Sequence, residues 1–278
     1  MATSFKSESY KSFIEGELTV VNKDSEEVPF LLKDAQDNFL RKVTGRDVIL
    51  KARQLGFSSL ILAIATAKFI LGSNERLVVL SHEIKATQRL LDRVKYYISS
   101  FEKKASKESG HEVKIPLPYK SRNEMFNADK NNSFFIGTAG DKEFGRGDTI
   151  TFLHLSEYAF YEDPENILSS VLQAVTPNGL AFIETTANGF NFFKKFWEDS
   201  KRDGTGFKTH FYDPTWEYDG LFLDHKRMEL KEKFKQEYPM SEIEAFITSG
   251  KCYFNIESLQ WYLENLKEPI TGRDTIYV

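Results

Sequence analysis

One short segment combines the residue types needed to bind a phosphate group. Two cations and two hydroxyls surround a single glycine: Lys51, Arg53, Gly56, Ser58 and Ser59. The apolar run 48–50 precedes this group, and an apolar helical stretch that reaches Leu71 follows it. Backbone N–H groups at a helix N-terminus bind phosphate, a cation neutralises its charge, and a hydroxyl can hold Mg²⁺. The pattern predicts a phosphate-binding loop between a strand and a helix.

The loop departs from the usual G-x-x-x-x-G-K-[ST] pattern in two places. Gly56 and Ser58 match the second glycine and the Mg²⁺-binding hydroxyl, but Phe57 occupies the lysine position and Lys51 the first glycine position. Arg53 is the other nearby cation, and its guanidinium fork suits phosphate oxygens. Gln54 and Leu55 are expected to shape the loop through their backbone. From this segment alone, a phosphate-binding loop and a plain strand-to-helix turn both remain open.

A second apolar strand, 149–155, leads to a carboxylate. Phosphoryl transfer to water needs an acidic group that activates the water and another that organises Mg²⁺. Glu157 occupies the first of these positions, whereas Ser156 stands where an aspartate is usual. His154 lies within the apolar run, so it is expected to be a buried, hydrogen-bonded residue rather than a catalyst.

A third strand, 179–186, ends in small polar residues. Thr185, Thr186 and Asn188 follow its apolar core and precede the helical stretch 189–200. Polar residues at the carboxyl end of a parallel strand face the ligand crevice.

Five motifs in this order resemble one protein family. They are Gln36, the loop from Lys51 to Ser59, Gly145-Arg146-Gly147, Leu155-Ser156-Glu157 and Thr185-Thr186-Ala187-Asn188-Gly189. Together they resemble the ATPase domain of the large terminase subunit of tailed bacteriophages, over residues from about 30 to 270. None of the motifs is decisive by itself; their order and spacing carry the resemblance.

The resemblance implies a role for each matching residue. Glu157 and Arg146 would be catalytic, Arg146 as a finger reaching a neighbouring subunit's nucleotide. Gln36 would read adenine, while Ser58 and Ser156 would hold Mg²⁺. The residues that couple hydrolysis to motion would be Thr185, Thr186 and Asn188. The implied nucleotide-binding residues are Gln36, Lys51, Arg53, Gln54, Leu55, Gly56, Phe57, Ser58 and Ser59, with ATP and Mg²⁺ as cofactors.

The implied activity is ATP hydrolysis that drives double-stranded DNA into a viral procapsid. Implied partners are the DNA, a portal protein, a small terminase subunit and further copies of the chain in a ring, in the host cytoplasm and without a membrane. Since no cluster of carboxylates follows Glu157, no DNA cleavage is expected. Two alternatives remain: a helicase-like DNA translocase, and a nucleotide-binding interaction domain with little turnover, which Phe57 and Ser156 favour.

Composition is compatible with these expectations. The chain has 278 residues, of which 41% are hydrophobic and 28% charged, and its net charge of −4 argues against general polyanion binding. The single cysteine, Cys252, permits no internal disulfide, and no apolar run reaches about 18 residues. Basic pairs such as Lys194-Lys195 and Lys226-Arg227 fit solvated helix faces better than DNA contacts.

Strands alternating with helices predict a mainly parallel α/β sheet with helices on both faces. Together with the resemblance, this indicates an additional-strand, RecA-like P-loop NTPase. We expect an N-terminal arm (1–27), an ATPase core (28–203) and a small, mostly helical lid (204–278). The amphipathic segment 30–43 is expected to be helical, and 207–212 to be a brief strand within the lid region.

Overall fold

The computed structural model describes residues 7–121, 123–139 and 149–248, together with residues 258, 261, 262, 265 and 266. Within these residues a large sheet is flanked by helices, with a short hairpin near the N-terminus and short helices near the C-terminus. No helix in the described part of the chain is long and apolar enough to cross a membrane.

The N-terminal segment packs onto the rest of the protein. It consists of helix α1 (Ser7–Glu17) and a hairpin of β1 (Thr19–Val21) and β2 (Glu27–Pro29). Phe13 and Ile14 of α1 are buried in the main hydrophobic core. The predicted arm is therefore attached through apolar side chains over these residues.

An eight-stranded sheet forms the centre of the protein. In chain order its strands are β3 (Arg46–Lys51), β4 (Arg76–Ser81), β5 (Tyr119–Lys120), β6 (Glu124–Asn127), β7 (Asn132–Thr138), β8 (Ile150–Ser156), β9 (Val175–Thr185) and β10 (Lys208–Tyr212). Their spatial order is β10-β3-β9-β8-β4-β7-β6-β5. The strands from β10 to β7 run parallel, and β6 and β5 continue antiparallel. Strand β9 separates β3 from β8, as the additional-strand architecture requires.

Further helices follow α1 in the described ranges. They are α2 (Asp34–Lys42), α3 (Phe57–Leu71), α4 (Ile84–Ser109), α5 (Pro164–Ala174), α6 (Phe192–Lys201), α7 (Gly220–Leu230), α8 (Phe234–Glu237) and α9 (Glu242–Thr248), with single 3₁₀ turns at 158–160, 214–216 and 231–233.

Alternating side chains give the sheet two apolar faces. On one face Ile49, Val79 and Phe182 join the core that contains α3 and α4. On the other face Val48 and Ile183 join a second core with α5 and α6. The predicted parallel sheet covered on both faces is thus confirmed.

Several predicted boundaries shift for local reasons. The helix predicted over 30–43 begins at Asp34, because Lys33 has an extended backbone. The helix predicted over 189–200 begins at Phe192, since the Asn191 side chain caps it by accepting from the Phe193 N–H at 3.1 Å. The segment assigned to the lid region at 208–212 is instead β10, an edge strand of the main sheet that pairs with β3.

The helices after β10 contact both the sheet helices and the loop after β3. Glu242 of α9 accepts from Trp197 Nε1 at 3.0 Å and pairs with Lys201 at 2.7 Å. On α8, the Glu237 carbonyl accepts from the Arg53 N–H at 3.2 Å. The division of the chain into core and lid stays a prediction.

Candidate functional site

The loop between β3 and α3 turns on Gly56. This residue caps α3 with a left-handed backbone, φ +80°. A Cβ added here would lie 2.7 Å from Gln36 Nε2, which donates to the Gly56 carbonyl at 2.8 Å. The position therefore requires glycine for both its backbone angle and its close neighbour.

We expect the Gly56→Ala variant to lose more stability than a Gly110→Ala variant. Gly110 also has a positive φ, +75°, but no atom would lie within 4 Å of its added Cβ. Both changes carry the left-handed cost of about 1–2 kcal/mol, and only Gly56→Ala also disturbs the buried Gln36 contact, worth on the order of 1 kcal/mol. Urea unfolding of the two variants measures the difference; equal losses would mean that the contact contributes nothing.

Lys51 lies at the end of β3 between two carboxylates. Its side chain is 6% exposed, and Nζ is 3.1 Å from Glu157 Oε1 and 3.1 Å from Glu184 Oε2. Burial lowers the pKa of the Lys51 ammonium, but the two carboxylates outweigh burial and hold that pKa above its usual range. Lys51 is therefore charged at neutral pH, and its charge is already used by acidic neighbours.

Glu157 follows β8 in a left-handed backbone conformation, with φ 53° and ψ 46°. Such a conformation is unfavourable for a residue other than glycine and is common at functional sites. Its side chain is 29% exposed, and its second oxygen accepts from the Thr186 N–H at 3.4 Å. The carboxylate therefore reaches solvent while its neighbours orient it.

Glu184, on β9, is the site residue that the sequence analysis missed. It is fully buried, and its Oε1 accepts from Ser58 Oγ and from Ser156 Oγ, each at 2.7 Å. Burial raises the pKa of the Glu184 carboxyl, but Lys51, the His154 ring and the Ser58 hydrogen bond together outweigh burial and hold that pKa well below its usual range. A charged residue inside the apolar strand 179–186 was the signal that could have found it.

The other loop residues divide into exposed and buried ones. Arg53 is 58% exposed at its side chain and pairs with Glu237, so Lys51 is the more enclosed of the two cations. Leu55 and Phe57 are buried, and the Phe57 ring packs edge-on against Phe39 with centroids 5.7 Å apart. The side chains at these two positions thus belong to the core, which leaves only their backbone for a ligand.

Three loop residues remain accessible at the start of α3 or just before it. Gln54 is exposed, with a left-handed φ of 62°, and Ser58 and Ser59 are partly exposed in the first turn of the helix. The Ser59 carbonyl accepts from Tyr97 Oη at 3.5 Å. The first N–H groups of a helix lack intrahelical partners, so this turn presents donors beside the Ser58 hydroxyl.

Gln36 is buried against the loop instead of lying on a helix surface. Besides donating to the Gly56 carbonyl, its side chain accepts from the Lys33 N–H at 3.0 Å. It therefore links the start of α2 to the loop, and its reading of adenine stays a prediction.

The polar residues after β9 hold the turn that follows Glu157. Thr185 Oγ1 accepts from the Ala159 N–H at 3.2 Å, and Asn188 Nδ2 donates to the Ala159 carbonyl at 3.2 Å. With the contact between the Thr186 N–H and Glu157, these bonds connect the segment after β9 to the acidic residue.

His154 is fully buried, one layer below Ser156 on the same face of β8. Its Nε2 lies 3.4 Å from Glu184 Oε1, and neither ring nitrogen has a hydrogen-bond partner among the described residues. It is buried as predicted, with the Glu184 carboxylate as its polar neighbour. Gly145, Arg146, Gly147 and Cys252 lie outside the described residues.

A cavity of about 580 Å³ opens beside these residues, a volume typical of small-ligand sites. Its lining includes Lys51, Ser58 and Glu157, together with Arg89 and Arg93 of α4. These two arginines could not be recognised from the sequence, because basic residues four apart on a helix usually form a solvated face.

Ser58, Ser156 and Glu184 are the oxygen donors that could hold Mg²⁺. Hard divalent cations prefer such ligands, and Mg²⁺ often binds through one or two carboxylates together with substrate phosphates. No group of three or more His, Cys, Asp or Glu side chains that could hold a metal occurs within the described ranges. The buried Glu184 Oε2 has no hydrogen-bond partner there. The donor set therefore fits a cation bound jointly with phosphate.

Comparison with solved structures identifies the fold. The chain is similar to the Thermus Phage P74-26 large terminase ATPase domain, with 18% identity, a TM-score of 0.55, and coverage of 73% of this chain and 91% of that one. The HK97 bacteriophage large terminase matches with 16% identity and a TM-score of 0.62. That match covers 87% of this chain and 51% of the HK97 chain, so this chain spans about half of that terminase.

A third structure, the large terminase of a thermophilic bacteriophage in complex with ATP-gamma-S, matches with 14% identity and a TM-score of 0.52. The match covers 74% of this chain and 51% of that one. No family model and no curated sequence matches the chain. The resemblance to terminase ATPase domains is thus confirmed at the level of the fold.

Proposed function

We propose that this chain is an ATP-hydrolysing motor domain that moves double-stranded DNA into a viral procapsid. The observation that carries the proposal is the meeting of Lys51, Ser58 and Glu157 at one cavity beside the N-terminus of α3. A cation, a hydroxyl with free backbone donors, and a carboxylate are the groups that nucleotide hydrolysis requires. The shared fold with terminase ATPase domains supports the same function.

The phosphates of ATP would bind at the first turn of α3. Its N–H groups and the positive end of the helix dipole favour anions. Bound Mg²⁺ would neutralise charge on the β- and γ-phosphate oxygens. Lys51 would turn from its carboxylates toward the phosphates, since Arg53 is more exposed and paired with Glu237. The fixed first turn and the charge of Lys51 thus replace the missing loop lysine.

Glu157 would act as the general base for the attacking water. Its carboxylate lines the cavity, and one of its oxygens is released when Lys51 leaves. The Thr186 N–H holds the other oxygen at 3.4 Å. ATP binding would thus free the base, so that the water is activated only when phosphates are present.

Thr185, Thr186 and Asn188 would relay hydrolysis to motion. They contact Glu157 and Ala159, and the segment they occupy continues into α6. A shift of Glu157 on phosphate release would therefore displace the start of α6. Helix α6 contacts α9 through Trp197 and Glu242, so the movement has a path to the C-terminal helices.

The proposed partners are DNA, a portal protein, a small terminase subunit and further copies of this chain in a ring, all in the host cytoplasm. Two basic residues of α7 pair with carboxylates of the same helix. Lys226 pairs with Glu229 at 2.7 Å, and Arg227 with Asp224 at 3.0 Å. These pairs fit solvated helix faces, as expected, and do not identify a DNA surface.

Phosphate release at high protein concentration, with and without double-stranded DNA, tests the proposal. We expect Mg²⁺-dependent release that DNA stimulates. Tight nucleotide binding without turnover under both conditions would favour the interaction-domain alternative. Absence of nucleotide binding would contradict both functions.

Arg146 provides a test of the ring. Because Lys51 already serves the chain's own site, we expect Arg146 to act on a neighbour's nucleotide, where a guanidinium stabilises the charge that develops during transfer. Hydrolysis per chain should rise with protein concentration. Mixing an Arg146→Ala chain with a Glu157→Gln chain should restore part of the activity, since each supplies the group that the other lacks.

Phosphate release from the mixture, with co-assembly verified by sedimentation, measures this restoration. Each variant alone, at the same total concentration, serves as the control. Full activity in a proven monomer, or no recovery in mixtures that co-assemble, would show that Arg146 acts within its own chain.

A further inference from the structure

The Glu184 carboxylate has more partners than a structural ion pair needs. Oε1 accepts hydrogen bonds from two hydroxyls, of Ser58 and Ser156, and Oε2 faces the Lys51 ammonium at 3.1 Å without a hydrogen bond. The residue is completely buried. A buried ion carries a desolvation cost of several kcal/mol, so its position in the site requires an explanation.

We propose that Glu184 is the carboxylate that holds Mg²⁺ in this site, in place of the acidic residue missing at position 156. The inference rests on the proposed ATPase function and assigns its metal-binding carboxylate. Glu184 would act together with the Ser58 hydroxyl, directly or through water. Ser156 would hold Glu184 in position.

Strand register explains how a carboxylate on β9 can take the place of one that is absent from β8. Ser156 of β8 and Glu184 of β9 are direct partners in the parallel ladder. Side chains at paired positions point to the same face of a sheet. A carboxylate on β9 therefore reaches the same region as one on β8, and glutamate has one more methylene than aspartate to span the distance. The resulting contact to Ser58 Oγ is 2.7 Å.

Ser58 is the reason to connect Glu184 with a metal. In P-loop proteins the hydroxyl at this position and an acidic residue at the end of another strand of the sheet hold Mg²⁺ together. Here the only described carboxylate that accepts from Ser58 is Glu184; Glu157 contacts Lys51 and Thr186 instead. The two acidic residues thus have separate roles. Glu157 lines the cavity and would activate water, whereas Glu184 contacts the Ser58 hydroxyl and would hold Mg²⁺.

Charge balance gives the same assignment. In the structure, the single charge of Lys51 faces the carboxylates of both Glu157 and Glu184. When Lys51 turns to the phosphates, the buried Glu184 loses its ammonium partner and keeps the His154 ring, 3.4 Å from Oε1, and the two hydroxyls. A divalent cation next to Ser58 would restore the charge balance.

The alternative is that Glu184 serves only as a counter-ion for Lys51. Glu157 provides a matched comparison, because its carboxylate lies at the same 3.1 Å from the ammonium. A counter-ion role predicts that Glu184→Gln and Glu157→Gln have similar consequences for nucleotide binding. A metal role predicts that only Glu184→Gln changes how strongly nucleotide binding depends on Mg²⁺.

The test measures ADP affinity by titration calorimetry with Mg²⁺ and with EDTA. The ratio of the two affinities is the Mg²⁺ enhancement. We expect Glu184→Gln to reduce this enhancement about 10-fold to 100-fold, a loss at least as large as mutation of the residues that support metal ligands typically causes. Affinity in EDTA should be unchanged or higher. Glu157→Gln should keep the parent enhancement. Mn²⁺ bound per chain with ADP, followed by electron paramagnetic resonance, provides a second readout.

A rescue variant distinguishes a metal role from a structural one. The double variant Ser156→Asp/Glu184→Gln returns a carboxylate to β8 and keeps the charge beside Lys51. We expect it to regain part of the Mg²⁺ enhancement. If Glu184→Gln does not fold, the double variant is measured in its place.

Three results would overturn the inference: full enhancement in Glu184→Gln, equal losses in Glu184→Gln and Glu157→Gln, or a folded double variant without enhancement. If the parent chain binds no ADP even with Mg²⁺, the proposed function itself fails and this inference with it.

Discussion

Replacing Glu157 by glutamine should reduce ATP hydrolysis by about 10²-fold or more while nucleotide binding is preserved. Glutamine keeps the shape of the side chain and one acceptor oxygen, but it cannot take a proton from water. Lys51 retains Glu184 as its buried partner at 3.1 Å, so the site should stay folded. Single-turnover phosphate release and equilibrium ATP binding separate the effect on chemistry from any effect on binding.

The same substitution at Glu162 is the matched control. That residue lies five positions further on, and its side chain is exposed. We expect Glu162→Gln to hydrolyse ATP as the parent does. An active Glu157→Gln variant would remove Glu157 from the role of base, and a variant that loses binding instead would indicate that Glu157 has a structural role.

Removing Lys51 should have the largest effect on stability and also weaken ATP binding. In Lys51→Ala the fully buried Glu184 loses its cation, and breaking a buried pair in this way costs about 3–5 kcal/mol. The phosphates lose their enclosed cation as well. Arg53→Ala should change stability by less than about 1 kcal/mol, because Arg53 pairs with Glu237 at the surface. Urea unfolding and ATP titration of both variants measure the contrast.

A double variant, Lys51→Ala/Glu184→Gln, separates the two contributions of Lys51. Both buried charges are removed, so most of the stability should return. ATP affinity measured in EDTA should stay below that of Glu184→Gln alone, because the phosphates still lack the Lys51 ammonium. If Lys51→Ala and Arg53→Ala both bind ATP as tightly as the parent, neither cation contacts phosphate and the loop assignment is wrong.

The sequence by itself was sufficient to predict the framework of the site. Continuous apolar runs mark β3, β8 and β9, and the long apolar stretch after Gly56 marks α3. In parallel strands joined by helices, the carboxyl ends lie at the same edge of the sheet, so polar residues at those ends lie close together. For that reason Lys51, Ser58 and Glu157 could be expected to meet, and the structure brings them to one cavity.

Only the tertiary structure decided which groups contact each other within that framework. Glu184 meets Ser156 from 28 positions away and Ser58 from 126 positions away, through strand order and register. A shift of one residue in register would turn Glu184 to the opposite face of the sheet, and composition or spacing cannot exclude such a shift. Tertiary packing also distinguishes Lys51 from Arg53, which the sequence places two residues apart. Packing encloses Lys51 between carboxylates and leaves Arg53 at the surface. Pairing across strands is a property of the assembled sheet, and it determines where the buried negative charge of this site lies.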